Sequence, residues 1–219
     1  MGIFFCLSVI RRVIINYMSI FKRKVKELSN FEKITTKHGD DGKTNTYSGE
    51  RIFKHDLVFE VIGSLDELQS YIGIIKTNPY MAVDKTIYAA MFDELVDIQT
   101  TLYRIMSIFA TNSNSFLYEE LELITEQDVD TIERYERKYV NQVVIVDKFI
   151  LPGDNNRLSS KFDFARTVTR RSERRITEYI NHETTSSRYV NYEDLKMCQK
   201  YINRLSDYFF IMARFVEDN

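Results

Sequence analysis

Proline is almost missing from this chain. There are two in 219 residues, so long stretches carry no helix breaker. Cysteine and histidine are also scarce. Cys6 and Cys198 lie far apart and the three histidines are scattered. A zinc site takes about four such ligands at tight spacing, so no metal site is expected. A net charge of −2 removes the electrostatic case for a nucleic-acid partner. The apolar run Ile3–Ile10 is too short to span a membrane. Glycine is rare as well, seven in all, yet Gly39, Gly42 and Gly49 crowd between positions 39 and 49.

What is present is helical periodicity. At 219 residues with 44% hydrophobic content, one domain with a sizeable core is the default. Val58, Val61, Leu65, Leu68, Ile72 and Ile75 repeat at three- and four-residue spacing. So do Ile87, Met91, Leu95, Ile98, Leu102, Ile105 and Phe109. Leu195, Cys198, Ile202, Leu205, Phe209, Met212 and Val216 form the cleanest seam. Residues 157–182 carry another, with Leu158, Phe162, Ala165, Thr169, Ser172, Ile176 and Tyr179 on one side. A weaker helix is expected over about 126–142, capped by Thr125 with Asp128 three residues on. Such seams predict an all-α antiparallel bundle. No strand alternation competes, and 111–124 and 183–190 read as loops. Cys198 lies on a seam, which predicts burial rather than reactivity.

The first 26 residues stand apart. They hold Arg11, Arg12, Lys22, Arg23, Lys24 and Lys26, and the first acidic residue is Glu27. Residues 1–33 are therefore read as a basic N-terminal extension. A mitochondrial transit peptide, a plain extension and a membrane-surface anchor all fit its composition. The corresponding compartments are the mitochondrial matrix or, as the alternative, the cytoplasm.

Three blocks suggest chemistry. From Thr35 to Lys54 the clustered glycines can present free N–H groups to an anion, with Lys37, Lys43, Arg51 and Lys54 around them. This suits a nucleotide triphosphate, although no Walker string occurs; a polar surface turn is the plainer reading. Downstream, Arg166, Arg170 and Arg174 recur every four residues and share a helix face, with Arg171 and Arg175 beside them. Planar guanidinium groups suit phosphate oxygens; a solvated charge run is the alternative. Asn203, Asp207 and Arg214 are polar residues set among apolar ones. Asn203 bonds either a neighbouring helix or a nucleotide.

In order along the chain stand Thr36–Gly42, Gly49 to Asp56, Gly63–Leu68, Phe149–Gly153, Ala165–Arg174 and Asn203–Phe210. Their order and spacing resemble the PduO-type ATP:cob(I)alamin adenosyltransferases over about residues 34–217, which makes 34–219 the adenosyltransferase domain. The resemblance implies a homotrimer of five-helix bundles that moves the 5′-deoxyadenosyl group of ATP to cob(I)alamin, releasing triphosphate. It implies ATP held by Thr36, Lys37, His38, Gly39, Thr44, Lys54, Arg170, Arg171, Glu173, Arg174 and Asn203. It implies Mg²⁺ on the phosphates, and an Asp66–Arg166 salt bridge between subunits beside the site. Phe149 would lie under the corrin ring, where ordinary packing before a turn is its plainer role. A cobalamin reductase and an adenosylcobalamin-dependent mutase are the implied partners.

This chain departs from the family pattern at His38, where Thr or Asn is usual. It has Asp154-Asn155 after the turn, where a second glycine is usual, and Asp163 in place of a histidine. It also ends at Asn219, where relatives carry a tail. These departures fall on the corrin side more than on the ATP side. They support the alternative of a non-catalytic nucleotide- or adenosylcobalamin-binding trimer, a cofactor chaperone or sensor.

Overall fold

The computed structural model describes residues 31–82, 87–145, 149–152, 156–185 and 191–218. Cys6, the basic stretch through residue 26, and Gly153, Asp154 and Asn155 lie outside the described residues. The chain falls into two compact units, Met1–Asp41 and Gly42–Asn219. In the first, a short helix α1 (Phe31–Ile34) is followed by a turn in which the Asp40 N–H donates to the Lys37 carbonyl at 3.2 Å. Lys37 there has a φ of 57°, unusual for a residue with a side chain.

The second unit opens with a hairpin that the sequence patterning did not predict. Strands β1 (Lys43–Asn45) and β2 (Arg51–Phe53) pair antiparallel, with Thr44 opposite Ile52. Three residues a side are too few for alternation to register as a pattern. Gly49, at φ 88°, closes the connection. The hairpin tip is tied to the bundle: the Tyr47 N–H donates to the Ala110 carbonyl at 2.8 Å, and Asn112 Nδ2 donates to Glu50 at 2.6 Å.

Five long helices follow: α2 (Leu57–Lys76), α3 (Ile87–Phe109), α5 (Glu126–Val140), α6 (Arg157–Thr185) and α7 (Tyr192–Asp218). Every seam residue named above from α2, α6 and α7 is buried apart from half-buried Tyr179, as are those of α3 from Met91 onward. The seam of α6 is unusually polar, but Thr169 and Ser172 return their hydroxyl protons to the carbonyls of Ala165 and Val168. Their small side chains thus enter the core without an unmet hydrogen bond. Cys198 is fully buried, and burial pushes its thiol pKa well up. Asp128 accepts the Thr125 N–H at 2.8 Å at the start of α5 and also pairs with Arg104 of α3 at 2.6 Å. Two loop expectations need correction. Within 111–124, Ser115 caps a one-turn helix α4 (Phe116–Glu119), and α6 continues to Thr185. Ser115 meets the Leu117 N–H and so starts a turn in an otherwise polar stretch.

Contacts between helices set their directions. Along α6 and α7, Ser159 meets Glu217, Asp163 meets Arg214, Glu173 meets Asn203 and Thr177 meets Gln199. Partners advance in opposite senses, so the two helices are antiparallel. The same holds for α2 with α6, through Glu67–Arg171 and Tyr71–Phe164, and for α3 with α5, through Asp97–Tyr135 and Glu94–Lys138. Helices adjacent in sequence alternate in direction, and α5 with α7 is consequently a parallel pair, seen in Glu126–Lys200 and Glu133–Arg204.

One buried ionic cluster joins the start of α6 to the end of α7. Arg214 Nη2 lies 2.7 Å from Asp163 and 2.7 Å from Glu217, and all three side chains are at least nine-tenths buried. This explains Arg214 within an apolar run and gives Asp163 a structural task. Removing Arg214 would leave two carboxylates without their cation in a buried site. Arg214→Met should therefore cost about 3 kcal/mol in urea unfolding, while the matched Asp163→Leu/Arg214→Met/Glu217→Leu triple should recover most of that. A loss below about 0.5 kcal/mol for Arg214→Met would show that water reaches the cluster.

Candidate functional site

The arginine face of α6 divides in two. Arg171 pairs with Glu67 on α2, while Arg175 lies 3.8 Å from Glu60 and 2.8 Å from Glu178. These two arginines tie α6 to α2. Arg170 and Arg174 point elsewhere and are exposed, with Arg174 Nη1 donating to the Arg170 carbonyl at 3.1 Å. Arg166 is half-buried, its Nε 3.5 Å from Asp163. The four-residue spacing thus yields two exposed guanidinium groups one turn apart, which repel unless an anion lies between them.

Beside them stands an oriented amide. Asn203 of α7 donates from Nδ2 to Glu173 Oε1 at 3.0 Å, one turn along α6 from Arg170. Its Oδ1 accepts from Arg204 at 2.7 Å. Of the two partners weighed for Asn203, the neighbouring helix is present, and it leaves spare hydrogen-bonding capacity on the amide. Glu173 and Asn203 are both half-buried, so the group opens to solvent.

A second set of carboxylates lies close by. Glu136 of α5 has a buried Oε1 with no hydrogen-bond partner among the described residues. Burial, then Asp207 and Glu133, pushes its pKa up to about 7. Asp207 is also raised, by burial against the pull of Arg204 and Arg170. Sequence reasoning missed Glu133 and Glu136, which belong to no motif and are recognisable only once α5 is placed against α7. Arg204 stood inside a motif but was given no role.

The other expected residues are placed as follows. Thr36, Lys37, His38 and Gly39 belong to the first unit. Thr44 is the central residue of β1, and Lys54 follows β2 with its N–H donating to the Gly42 carbonyl at 2.9 Å. Asp66 is exposed on α2, and its side chain makes no hydrogen bond or ion pair among the described residues. Phe149 is fully exposed, 103%, with Leu151 at 69% beside it. That excludes ordinary core packing as the reason for its ring within this chain. Among the described residues no three His, Cys, Asp or Glu side chains gather as a metal site.

A five-helix bundle with a hairpin at its start, two exposed arginines one turn apart and a hydrogen-bonded asparagine beside them defines a helical-bundle protein. The cobalamin adenosyltransferase family model matches residues 34–216. The corrinoid adenosyltransferase MMAB of Homo sapiens is 36% identical over 185 residues, covering 84% of this chain and 68% of the relative. The corrinoid adenosyltransferase of Bacillus subtilis is 33% identical over 184 residues, covering 84% and 86%. Among solved structures, a variant PduO-type ATP:corrinoid adenosyltransferase from Lactobacillus reuteri, complexed with cobalamin and ATP, aligns with a TM-score of 0.69 at 31% identity. That alignment covers 84% of this chain and 93% of the other. The chain belongs to the cobalamin adenosyltransferase family.

The raised Glu136 pKa makes stability depend on pH. The folded protein keeps a proton there up to about 7, whereas the ordinary value is 4.5. This group's contribution is complete below the lower value and is lost as pH rises through the upper one. Urea unfolding from about pH 5 to about pH 8 should show declining stability, and Glu136→Gln should flatten the decline. An unchanged slope in the variant would remove Glu136 as its source.

Proposed function

We propose that this chain transfers the 5′-deoxyadenosyl group of ATP to cob(I)alamin and releases triphosphate. The observation that carries the reading is the pair of exposed arginines, Arg170 and Arg174, beside the Glu173–Asn203 hydrogen bond, in a chain of this family. The relative of solved structure is complexed with both ATP and cobalamin.

The cobalt(I) centre of the substrate supplies an electron pair to the 5′ carbon of ATP. A cobalt–carbon bond forms as the carbon–oxygen bond breaks. The oxygen keeps its electron pair and leaves with the triphosphate, and cobalt is oxidised to Co(III). No proton is transferred at the attacking atom, so the protein needs no general base. Its work is placement and electrostatics. Arg170, Arg174, Lys54 and Lys37 stabilise charge growing on the leaving triphosphate. Asn203 and Glu173 orient the nucleotide, and Thr36, His38, Gly39 and Thr44 are further nucleotide-binding residues that family membership supports. Arg171 supports α6 through its bridge to Glu67. Mg²⁺ fits such a site without a protein cage, because it takes phosphate oxygens and water as ligands and neutralises phosphate charge.

Phe149 sits beneath the corrin and keeps the lower axial ligand away, which eases reduction to Co(I); its full exposure supports this use. The chain works as a homotrimer. Exposed Asp66 pairs with Arg166 across subunits, which supplies the partner that Asp66 otherwise lacks. The basic stretch before Glu27 supports delivery to the mitochondrial matrix, where a reductase supplies electrons and a mutase consumes the product. No described helix is long and apolar enough to cross a membrane.

Purified protein given ATP and chemically reduced cobalamin should form adenosylcobalamin, read from the corrin absorption spectrum. Binding without turnover would instead favour the chaperone or sensor. Arg170→Ala should weaken ATP binding by about 1.5–3 kcal/mol in calorimetry, the range for a charged hydrogen bond. An unchanged affinity would take Arg170 out of the site.

Assembly has its own test. Arg166 also neighbours buried Asp163, so reversing its charge would set two carboxylates together. Neutral variants avoid this. Asp66→Asn and Arg166→Gln should each weaken the trimer in sedimentation velocity, and the double variant should be no worse than the poorer single. A wild-type protein that sediments as a monomer at micromolar concentration would exclude the arrangement.

A further inference from the structure

Asn203 is flanked by charges of opposite sign. Arg204, its neighbour in sequence, donates from Nη1 to Asn203 Oδ1 at 2.7 Å and from Nε to Glu133 Oε1 of α5 at 3.0 Å. On the other side, Asn203 Nδ2 donates to Glu173 Oε1 of α6 at 3.0 Å. Glu133 is itself steadied by Arg137, whose Nη2 donates to its other oxygen at 3.2 Å. The line Glu133–Arg204–Asn203–Glu173 crosses from α5 through α7 to α6.

A side-chain amide can usually turn over at little cost, since its two ends have the same shape. Here it cannot. Turned over, the NH₂ group would face a guanidinium, donor against donor. The carbonyl oxygen would face a carboxylate, acceptor against acceptor. Two charge-assisted hydrogen bonds would be replaced by two repulsions. The amide offers two N–H donors and two lone pairs, and one of each is used. One donor and one acceptor remain, in a single orientation, for a ligand.

We propose that Arg204, held by Glu133, is a positioning residue for the nucleotide: it sets which face of the Asn203 amide is presented to ATP. The inference rests on the assignment of Asn203 to the nucleotide site. Arg204 acts through Asn203 and touches no substrate. α5, which carries none of the family motifs, thereby takes part in nucleotide binding.

The test uses the full chain, with ATP affinity from calorimetry and steady-state kinetics for both substrates. Arg204→Met keeps the aliphatic stem and removes every donor. It should raise the Kd and KM for ATP about tenfold and leave the KM for cobalamin unchanged. Arg204→Lys should recover only part, because one ammonium cannot serve Asn203 and Glu133 as the forked guanidinium does. Glu133→Gln should weaken ATP binding by a smaller factor than Arg204→Met. The decisive arm is the double variant: in an Asn203→Ala background, Arg204→Met should cost no further ATP affinity. Losses that add would mean that Arg204 meets the nucleotide itself, and would overturn the proposal. So would unchanged ATP affinity in Arg204→Met when Asn203→Ala alone loses it. Unchanged affinity in Asn203→Ala would remove Asn203 from the site, and the proposal would fall with that assignment. Should Arg204→Met not fold, Arg204→Lys and Glu133→Gln, each combined with Asn203→Ala, separate the same outcomes.

Discussion

Side by side and antiparallel, α6 and α7 are locked at separated points along their length by polar contacts that admit one register. Near one end the Asp163–Arg214–Glu217 cluster is buried, so each charge must meet an opposite one or bear the cost of burial. Further along, Glu173 meets Asn203 and Thr177 meets Gln199. Slipping one helix by a turn would strand Arg214 among apolar side chains and part Asn203 from Glu173 at once. The apolar seams alone would tolerate such a slip far better, since Leu, Ile and Phe are partly interchangeable as partners. The register therefore rests on the polar contacts. It is also what brings the motif around Arg170 and the motif around Asn203 together.

From that register the site follows. Helix α2 is held against α6 by Glu67–Arg171 and Glu60–Arg175, which occupies those two arginines and turns Arg170 and Arg174 outward. A row of arginines read in one dimension is thus sorted into structural and solvent-facing members by which neighbouring helix carries a carboxylate. The same reasoning accounts for Asp163. Its carboxylate balances Arg214 within the buried cluster and also faces Arg166, which gives it a place in the core of this chain.

Polar residues account for much of the remaining specificity. Glu94 is buried and accepts hydrogen bonds from Lys138, Tyr139 and Tyr208, which draws α3, α5 and α7 to one point. Arg104 and Asp128 repeat the device between α3 and α5. In a bundle whose seams are largely aliphatic, such contacts penalise alternative packings more than they add to stability.

The periodicity of apolar residues was enough to place the five long helices nearly to their ends, because a buried stripe every three or four residues has no other good solution. The capping of α5 was legible for the same local reason: Thr125 and Asp128 lie within one turn. The motifs also named the arginine and asparagine blocks. Other features could not be read from one dimension. The hairpin at Lys43–Phe53 is too short to show alternation and is held by contacts to the end of α3. Burial of Arg214 and division of the arginine face depend on which helix lies opposite. The roles of Glu133, Glu136 and Arg204 arise only where α5 meets α7, residues some seventy positions apart in the chain. Local pattern decides where a helix forms, because its hydrogen bonds close within four residues. The charge that a helix face meets depends on its neighbours in space, and only the tertiary structure decides those.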